Sequence, residues 1–198
     1  MKTAHIIWAH PRENSLTSQV VTALKAAAAE KEINVRELDL YRAGFDPVLR
    51  EEDEPDFSNS DKPYSEQVYQ LFDQMAGSDM AFVVFPVWWY SMPAILKGYV
   101  DRVWNYGLTY GNGKQLPYSS IRWIALVGGA QGKFESHKKD AYMQDLLNDG
   151  IAKYSGVEDS RVTFLYNTLA FEESIEDMNH HHHGLIQQAK HELYLLAA

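Results

Sequence analysis

Residues 80–85, with the sequence Met-Ala-Phe-Val-Val-Phe, are apolar without interruption. A strand that has one face in water alternates apolar and polar side chains, whereas a strand covered on both faces is apolar throughout. The run therefore predicts a buried strand of a parallel sheet, with helices packed on both faces. Because parallel strands are joined by long crossovers that are usually helical, the flanking sequence should contain helices.

The rest of the chain has this alternation. Short apolar segments predict strands at residues 3–8, 33–38, 80–85, 121–127 and 161–166. Helical spacing predicts helices at about residues 15–32, 65–76, 93–104, 137–154 and 172–196, and residues 41–63 form a long connection. We therefore predict a single doubly wound α/β domain over residues 1–198. It is a three-layer sandwich whose five-stranded parallel sheet has the flavodoxin-like strand order 2-1-3-4-5.

Charge and cysteine content exclude several classes of function. The 198 residues include 18 Lys and Arg against 27 Asp and Glu, a formal net charge of -9, which disfavours binding to nucleic-acid phosphates. The chain has no cysteine, so disulfides, cysteine-ligated metals and a cysteine nucleophile are excluded and redox chemistry would need a bound cofactor. No segment approaches the ~20 apolar residues that span a bilayer, and we expect a soluble, cytoplasmic protein.

Ligands of a doubly wound sheet bind outside the carboxyl ends of the strands. Three predicted loops lie at this edge, at residues 10–17, 86–93 and 128–134. The first leads into a helix whose unpaired amides, with the hydroxyls of Ser15 and Thr17, could hold a phosphate. For this segment taken alone, the favoured interpretation is that Asn14 or Ser15 serves only as the helix N-cap. The third loop begins with Gly-Gly, which permits close approach to a ligand or simply forms a turn.

The second loop is rich in aromatic side chains. It reads Pro-Val-Trp-Trp-Tyr-Ser-Met-Pro, and its two prolines restrict the backbone. We expect the amides of Val87 to Tyr90 to point out of the loop, and a planar ring to stack on Trp88 or Trp89. The alternative is that these side chains, part of an aromatic content of 13%, fill the core.

Four segments together form a family pattern: Ala9-His-Pro with Ser15-Leu-Thr17, residues 39–47, residues 85–102 and residues 128–132. The third segment is highly specific, above all Pro-Ala-Ile-Leu-Lys-Gly followed by Asp-Arg-Val. The pattern resembles the NAD(P)H:quinone oxidoreductases of the DT-diaphorase type, flavoproteins with a flavodoxin-like fold. The resemblance extends from the start of the chain to about residue 170.

The resemblance implies a tightly held flavin, either FMN or FAD. The residues that it places around the phosphate and ribityl chain are His10, Ser15, Leu16 and Thr17. Those that it places along the isoalloxazine ring are Pro86, Val87, Trp88, Trp89 and Tyr90, with Val127, Gly128 and Gly129 at the pyrimidine end. The positions that correspond to catalytic residues are Trp88, Tyr90 and Phe134. In this family the site lies at a homodimer interface.

Two departures from the family pattern affect the chemistry. Relatives usually have Thr-Thr before the Gly-Gly pair, where this chain has Leu126-Val127, so backbone groups would replace hydroxyls. Mammalian-type relatives have a Tyr where this chain has Phe134, which cannot donate a proton. A site without this proton donor can still support hydride transfer, because the flavin itself transfers the hydride and the protein supplies orientation and hydrogen bonds.

The resemblance implies two-electron reduction of quinones or similar electrophiles by NAD(P)H. The order is ping-pong, in which the nicotinamide and the acceptor occupy the same cavity in turn. An alternative is an ancillary, regulatory flavoprotein of a membrane potassium-efflux transporter. A one-electron carrier is disfavoured, because it has no need of an aromatic substrate cavity. The motifs do not decide between FMN and FAD or between NADH and NADPH, and they do not identify the acceptor.

Two further motifs carry charge or metal-ligating groups. The tract His180 to His183 could bring two imidazoles together on a helix, but the solvated start of the last helix is the favoured interpretation, and we expect no metal site. The acidic run from Glu51 to Glu54 is interpreted as a solvated surface.

Overall fold

The computed structural model describes residues 1–171 and 175–197. Within them the sheet consists of β1 (Thr3–Trp8), β2 (Asn34–Asp39), β3 (Met80–Pro86), β4 (Ser120–Leu126) and β5 (Asp159–Leu165). All neighbouring strands pair in parallel, in the order β2-β1-β3-β4-β5. The predicted flavodoxin-like fold and strand order are confirmed.

Helices cover both faces of this sheet. They are α1 (Leu16–Glu30), α2 (Glu66–Asp73), α3 (Ala94–Val103), α4 (Gln131–Ser136), α5 (Lys139–Gln144) and α6 (Met178–Ala197). A π-helical segment, Asp145–Lys153, continues α5. The predicted start of the last helix, at residues 172–174, lies outside the described residues. Residues 175–177 were also predicted to be helical and are not, because α6 begins at Met178 after Asp177, whose carboxylate accepts a hydrogen bond from the His180 amide as an N-cap does.

The predicted helix at residues 137–154 was also wrong in its boundaries. Residues 137–154 were expected to form one helix, but helical structure already begins at Gln131 and is broken at Lys138. Lys138 has a φ of 53°, in the left-handed region, so the backbone reverses locally between α4 and α5. The predicted loop 128–134 is therefore shorter, and Phe134 lies on α4.

The uninterrupted apolar run of β3 reflects two cores. Phe82 and Val84 pack with α1 and α6 on one face of the sheet, whereas Val83 and Phe85 pack with α3 and the π-helical segment on the other. Both sets of side chains are fully or almost fully buried. Alternate residues of one strand thus supply two separate cores, as the absence of polar alternation predicts.

The acidic run is only partly solvated. Asp53, in a short 3-10 helix at Glu51–Asp53, is completely buried and pairs with Arg102 of α3 at 2.6 Å. The Asp53 carboxylate also accepts hydrogen bonds from Ser65, and Asn105 donates to its carbonyl. The expectation of a solvated surface is wrong for Asp53, because a buried carboxylate is tolerated when it is paired and hydrogen-bonded.

Candidate active site

Two adjoining cavities open at the carboxyl edge of the sheet. The α1 cavity, of about 590 Å³, lies between the start of α1, the loop after β3 and α6. The α4 cavity, of about 460 Å³, lies between the loop after β3, α4 and the loop after β5. Val87, Gly128 and Leu169 line both. Each volume is within the range of about 300–1,000 Å³ that is usual for cofactor and ligand sites.

The start of α1 presents free amides to the α1 cavity. Ser15 is the N-cap, and its hydroxyl oxygen accepts a hydrogen bond from the Ser18 amide at 3.1 Å, so the capping interpretation is confirmed. The amides of Leu16 and Thr17 have no acceptor in the described part of the protein. Capping and anion binding are therefore compatible here, because the cap uses one amide and leaves two at the positive end of the helix.

His10 forms the side of the α1 cavity next to Trp88. Its Nδ1 accepts a hydrogen bond from the Arg12 amide at 3.0 Å, and its ring centre lies 6.2 Å from that of Trp88. Burial, with a smaller contribution from the positive charges of Arg12 and Arg42, lowers the pKa of His10. In the neutral ring Nε2 then carries the proton and is the available donor.

The aromatic loop is a tight turn. Trp88 and Ser91 donate to each other's carbonyls at 3.0 Å, and Trp89 and Tyr90 between them have φ values of 51° and 58°. Positive φ at both central residues defines a turn of type I′, which normally uses glycine or asparagine. The expectation of outward-pointing amides is wrong for Val87, which donates to Leu126, and for Trp88.

The turn holds its aromatic side chains out of the core. Trp89 is 96% exposed, and Trp88 and Tyr90 are 40% and 48% exposed. The core-filling alternative is therefore wrong for these three residues. By contrast, the aromatic residues Phe85, Tyr99 and Trp104, which lie outside this loop, are buried.

The loop after β4 supplies the surface between the cavities. Gly128 is where the two cavities meet, and a Cβ on it would lie 2.9 Å from Cδ1 of Leu169. The carbonyls of Val127 and Gly129 accept hydrogen bonds from Thr168 and Asn167. The loop after β5 is thus fixed against the loop after β4.

Phe134 lies at the inner wall of the α4 cavity. Its ring centre is 5.8 Å from that of Tyr90, and 5.7 Å from those of Phe164 and Tyr166. Phe134 is buried, so this position contributes an apolar surface and no proton donor. Burial, with the charges of Asp140 and Glu135, raises the pKa of the neighbouring Tyr166 to about 12.

The structure brings every predicted site residue to one of the two cavities. The α1 cavity is lined by His10, Ser15, Leu16, Thr17, Pro86, Val87, Trp88 and Gly128. The α4 cavity is lined by Val87, Trp89, Tyr90, Val127, Gly128, Gly129 and Phe134. The catalytic positions are divided, because Trp88 faces the α1 cavity whereas Tyr90 and Phe134 face the α4 cavity.

Several lining residues were not predicted. They include Thr168, Leu169 and Phe171 after β5, His182 on α6, Lys133, His137 and Lys139 on and after α4, and Arg12 just before α1 with Gln19 in its first turn. The strand order already placed the end of β5 beside β4 at the same edge, so the loop after β5 could have been found. The side chains of α4, α5 and α6 depend on helix positions that the sequence does not determine.

The histidine tract belongs to the first turns of α6 and is not wholly solvated. His182 is half-buried, lines the α1 cavity, and its Nε2 lies 3.1 Å from the Thr168 carbonyl oxygen. Among the described residues, no group of three or more potential metal ligands comes together. Within the same residues, no helix is long and apolar enough to cross a membrane.

The fold and the two cavities define a doubly wound α/β protein with its candidate site at the strand ends. The family model described as flavodoxin-like fold matches residues 1–189, and the chain belongs to this family. It is 49% identical to an uncharacterized NAD(P)H oxidoreductase, YcaK, of Escherichia coli (strain K12), over 168 residues that cover 85% of each chain.

Solved structures share the fold at low sequence identity. The NAD(P)H:quinone oxidoreductase from Methanothermobacter marburgensis is similar with a TM-score of 0.86 and 22% identity, over 96% of this chain and 94% of that one. An FMN-dependent NADH-azoreductase from Bacillus anthracis, in complex with FMN, has a TM-score of 0.74 and 15% identity over 100% of both chains. A potassium-efflux system ancillary protein, KefF, of Enterobacter sp. (strain 638) is 34% identical over 64 residues, 32% of this chain and 36% of its own.

Proposed function

We propose that this protein is a flavoenzyme that uses NAD(P)H to reduce quinones or similar flat electrophiles by two electrons. The observation that carries the proposal is the pairing of the two cavities, one with free helix amides and the other with an aromatic lining, joined at Gly128. A flavin mononucleotide needs both environments, one for its phosphate and one for its ring. The relatives named for NAD(P)H oxidation and quinone reduction support the same activity.

The residues of the α1 cavity fit a phosphate. The Leu16 and Thr17 amides offer two donors at the positive end of α1, and neutral His10 offers a third. The ribityl chain would pass Pro86 and Val87 toward the meeting point of the cavities. Arg12 also lines this cavity and adds a positive charge to the oriented amides, which by themselves stabilise an anion in a partly buried site.

The residues of the α4 cavity fit a planar ring and a planar substrate. When bound, the flavin supplies hydride acceptance and donation, which the protein's own side chains cannot perform. Trp89 and Tyr90 would provide flat surfaces for the stacked molecules, and Gly129 would allow the backbone to approach the ring. Phe134 closes the inner wall and excludes water. It holds no proton, so the proton that accompanies reduction of the acceptor must come from another group or from water.

We propose FMN rather than FAD. The structural neighbour solved with FMN supports this choice. Adenine contacts in relatives that bind FAD include an acidic residue in the segment that matches residues 105–108, where this chain has Tyr106-Gly107. The buried Asn105 at the start of that segment is already engaged with the Asp53 carbonyl.

We also propose that the active form is a homodimer. Trp89 and Phe171 are large apolar side chains with exposures of 96% and 79%, and both line the α4 cavity. Exposed apolar surface at a site is typical of a contact with a second chain. A partner subunit would complete the cavity wall. The transporter-associated alternative is supported only by the short match to KefF, and no described surface feature favours it over the free enzyme.

Release of the cofactor tests the assignment. Protein purified with its flavin, or reconstituted with FMN and with FAD separately, is denatured, and the released compound is identified by mass spectrometry. We expect FMN at one molecule per chain. Failure to retain either flavin after reconstitution would contradict the proposed function.

A further inference from the structure

Nitrogen-bearing side chains line one side of the α4 cavity. Lys133, His137 and Lys139 come from α4, its end and the start of α5, on the opposite side from the aromatic residues of the loop after β3. The described lining of the cavity contains no carboxylate. In a chain with a formal charge of -9, a cavity with two lysines and no carboxylate in its lining departs from the overall charge.

The break between α4 and α5 sets the position of Lys139. Lys138 takes the left-handed conformation, and its amide donates to the Glu135 carbonyl at 2.8 Å. The chain then restarts as α5, with Lys139 as its first residue. This arrangement places the Lys139 ammonium 4.8 Å from the centre of the Tyr90 ring.

Lys139 is held without a carboxylate partner in the described part of the chain. Its side chain is half-buried, and a ring face attracts a cation without neutralising it. No ion pair among the described residues therefore neutralises the ammonium at the mouth of the cavity. Glu135 and Asp140 are close enough to act on the neighbouring Tyr166, but neither forms an ion pair with Lys139.

We propose that Lys139 binds an anionic substituent, a carboxylate or sulfonate, of a flat aromatic acceptor. The acceptor's ring lies against Trp89 and Tyr90, and its anionic group reaches the ammonium over Tyr90. The proposal rests on the proposed function, whose substrate class it narrows. The same chemistry would also accept the 2′-phosphate of NADPH, and the experiment separates the two sources.

Direct binding of redox-inert ligands tests the anion site. Calorimetry on the flavin-loaded protein compares 2-naphthalenesulfonate with neutral 2-naphthol, in wild type, Lys139→Gln, Lys139→Arg and the neighbouring control Lys138→Gln. We expect Lys139→Gln to weaken sulfonate binding about tenfold and to leave naphthol within about twofold, as loss of one charge-assisted contact predicts. Lys139→Arg and Lys138→Gln should retain sulfonate binding.

Unchanged sulfonate binding in Lys139→Gln, or an equal loss of both ligands, would overturn the proposal. Whether Lys139 instead binds the 2′-phosphate of NADPH is tested by measuring the affinities of the same variants for NADPH and NADH. A loss confined to NADPH, with sulfonate binding intact, would overturn the assignment to the acceptor. Menadione reduction by wild type is measured on the same samples. If the proposed function fails and the anion site is correct, menadione turnover is absent while the preference for the sulfonate over naphthol remains.

Discussion

Trp88 and Ser91 exchange two backbone hydrogen bonds of 3.0 Å, and both residues between them lie in the left-handed region. Non-glycine residues pay about 1–2 kcal/mol each for that conformation. The turn therefore stores strain at the point where the aromatic side chains meet the cavities. Strain of this kind is typical of binding sites, where orientation of a side chain matters more than local stability.

Replacing Trp89 by glycine should separate stability from activity. Trp89→Gly relieves the backbone and removes a side chain that is 96% exposed, so the flavin-free protein should gain about 1 kcal/mol, or about 2–4 °C in Tm. The kcat/KM for menadione should fall, because the stacking surface is lost. Ser91→Gly, at a position without positive φ, should bring no gain in Tm. A destabilised Trp89→Gly with normal kcat/KM would contradict this account.

Truncation of Trp88 tests whether its indole serves the flavin or the core. Trp88 is 40% exposed and lines the α1 cavity, so Trp88→Ala should cost the flavin-free protein less than the 3–5 kcal/mol of a buried aromatic truncation. Flavin retention should weaken, between about threefold and tenfold in Kd, through loss of an aromatic contact. Thermal unfolding and flavin titration measure the two effects. A collapsed Tm with unchanged flavin affinity would identify Trp88 as a packing residue.

His182 should contact the ribityl chain of the flavin rather than its phosphate. Its Nε2 lies 3.1 Å from the Thr168 carbonyl oxygen, which only accepts, so Nε2 carries the proton and Nδ1 is left as an acceptor, which suits a ribityl hydroxyl and not a phosphate oxygen. His182→Ala should weaken the binding of FMN and of riboflavin to the same extent, several-fold or about 1 kcal/mol, because both carry the ribityl chain. The exposed His180 of the same tract provides the control variant His180→Ala, which should leave both affinities unchanged. A loss confined to FMN, or a lowered Tm of the flavin-free His182→Ala protein, would contradict this role.

The free energy of unfolding should decrease as the pH is lowered, because of one buried histidine. His5 is fully buried, and burial, with the nearby charge of Arg36, lowers its pKa from 6.5 to about 4. Between these values the unfolded chain binds a proton that the folded chain does not, so stability is lost as pH falls from 6.5 to 4, by about 3 kcal/mol in all. Urea unfolding between pH 6.5 and 5, above the range in which carboxyl groups titrate, should show the slope in wild type and not in His5→Gln. A slope that persists in His5→Gln would assign the effect to other groups.

The sequence predicted the sheet well because burial on two faces leaves a direct mark, as in the unbroken run at residues 80–85. The sequence could not separate buried from exposed aromatic residues. Phe85 is buried and Trp88 is partly exposed only because a turn begins after β3. The three loops at the carboxyl edge of the sheet were recognisable from the strand order and from their glycine or proline content. Lys139 and His182 were missed, because their positions depend on the break at Lys138 and on the docking of α6.

Buried charge was equally hidden from sequence reasoning. Asp53 lies within a run of acidic residues and is distinguished only by its contact with Arg102, 49 positions away. A partner so distant in sequence leaves no local pattern. The same holds for the pairing of His5 with Tyr118 at 2.7 Å.

An anaerobic absorption titration tests whether the protein is an NAD(P)H:quinone reductase. Protein loaded with FMN is mixed with NADH or NADPH without oxygen, and menadione is then added. We expect the reduced nucleotide to bleach the flavin absorption band and the quinone to restore it, with one flavin per chain. A flavin band that neither nucleotide bleaches, or that menadione does not restore, would contradict the proposed NAD(P)H:quinone reductase activity.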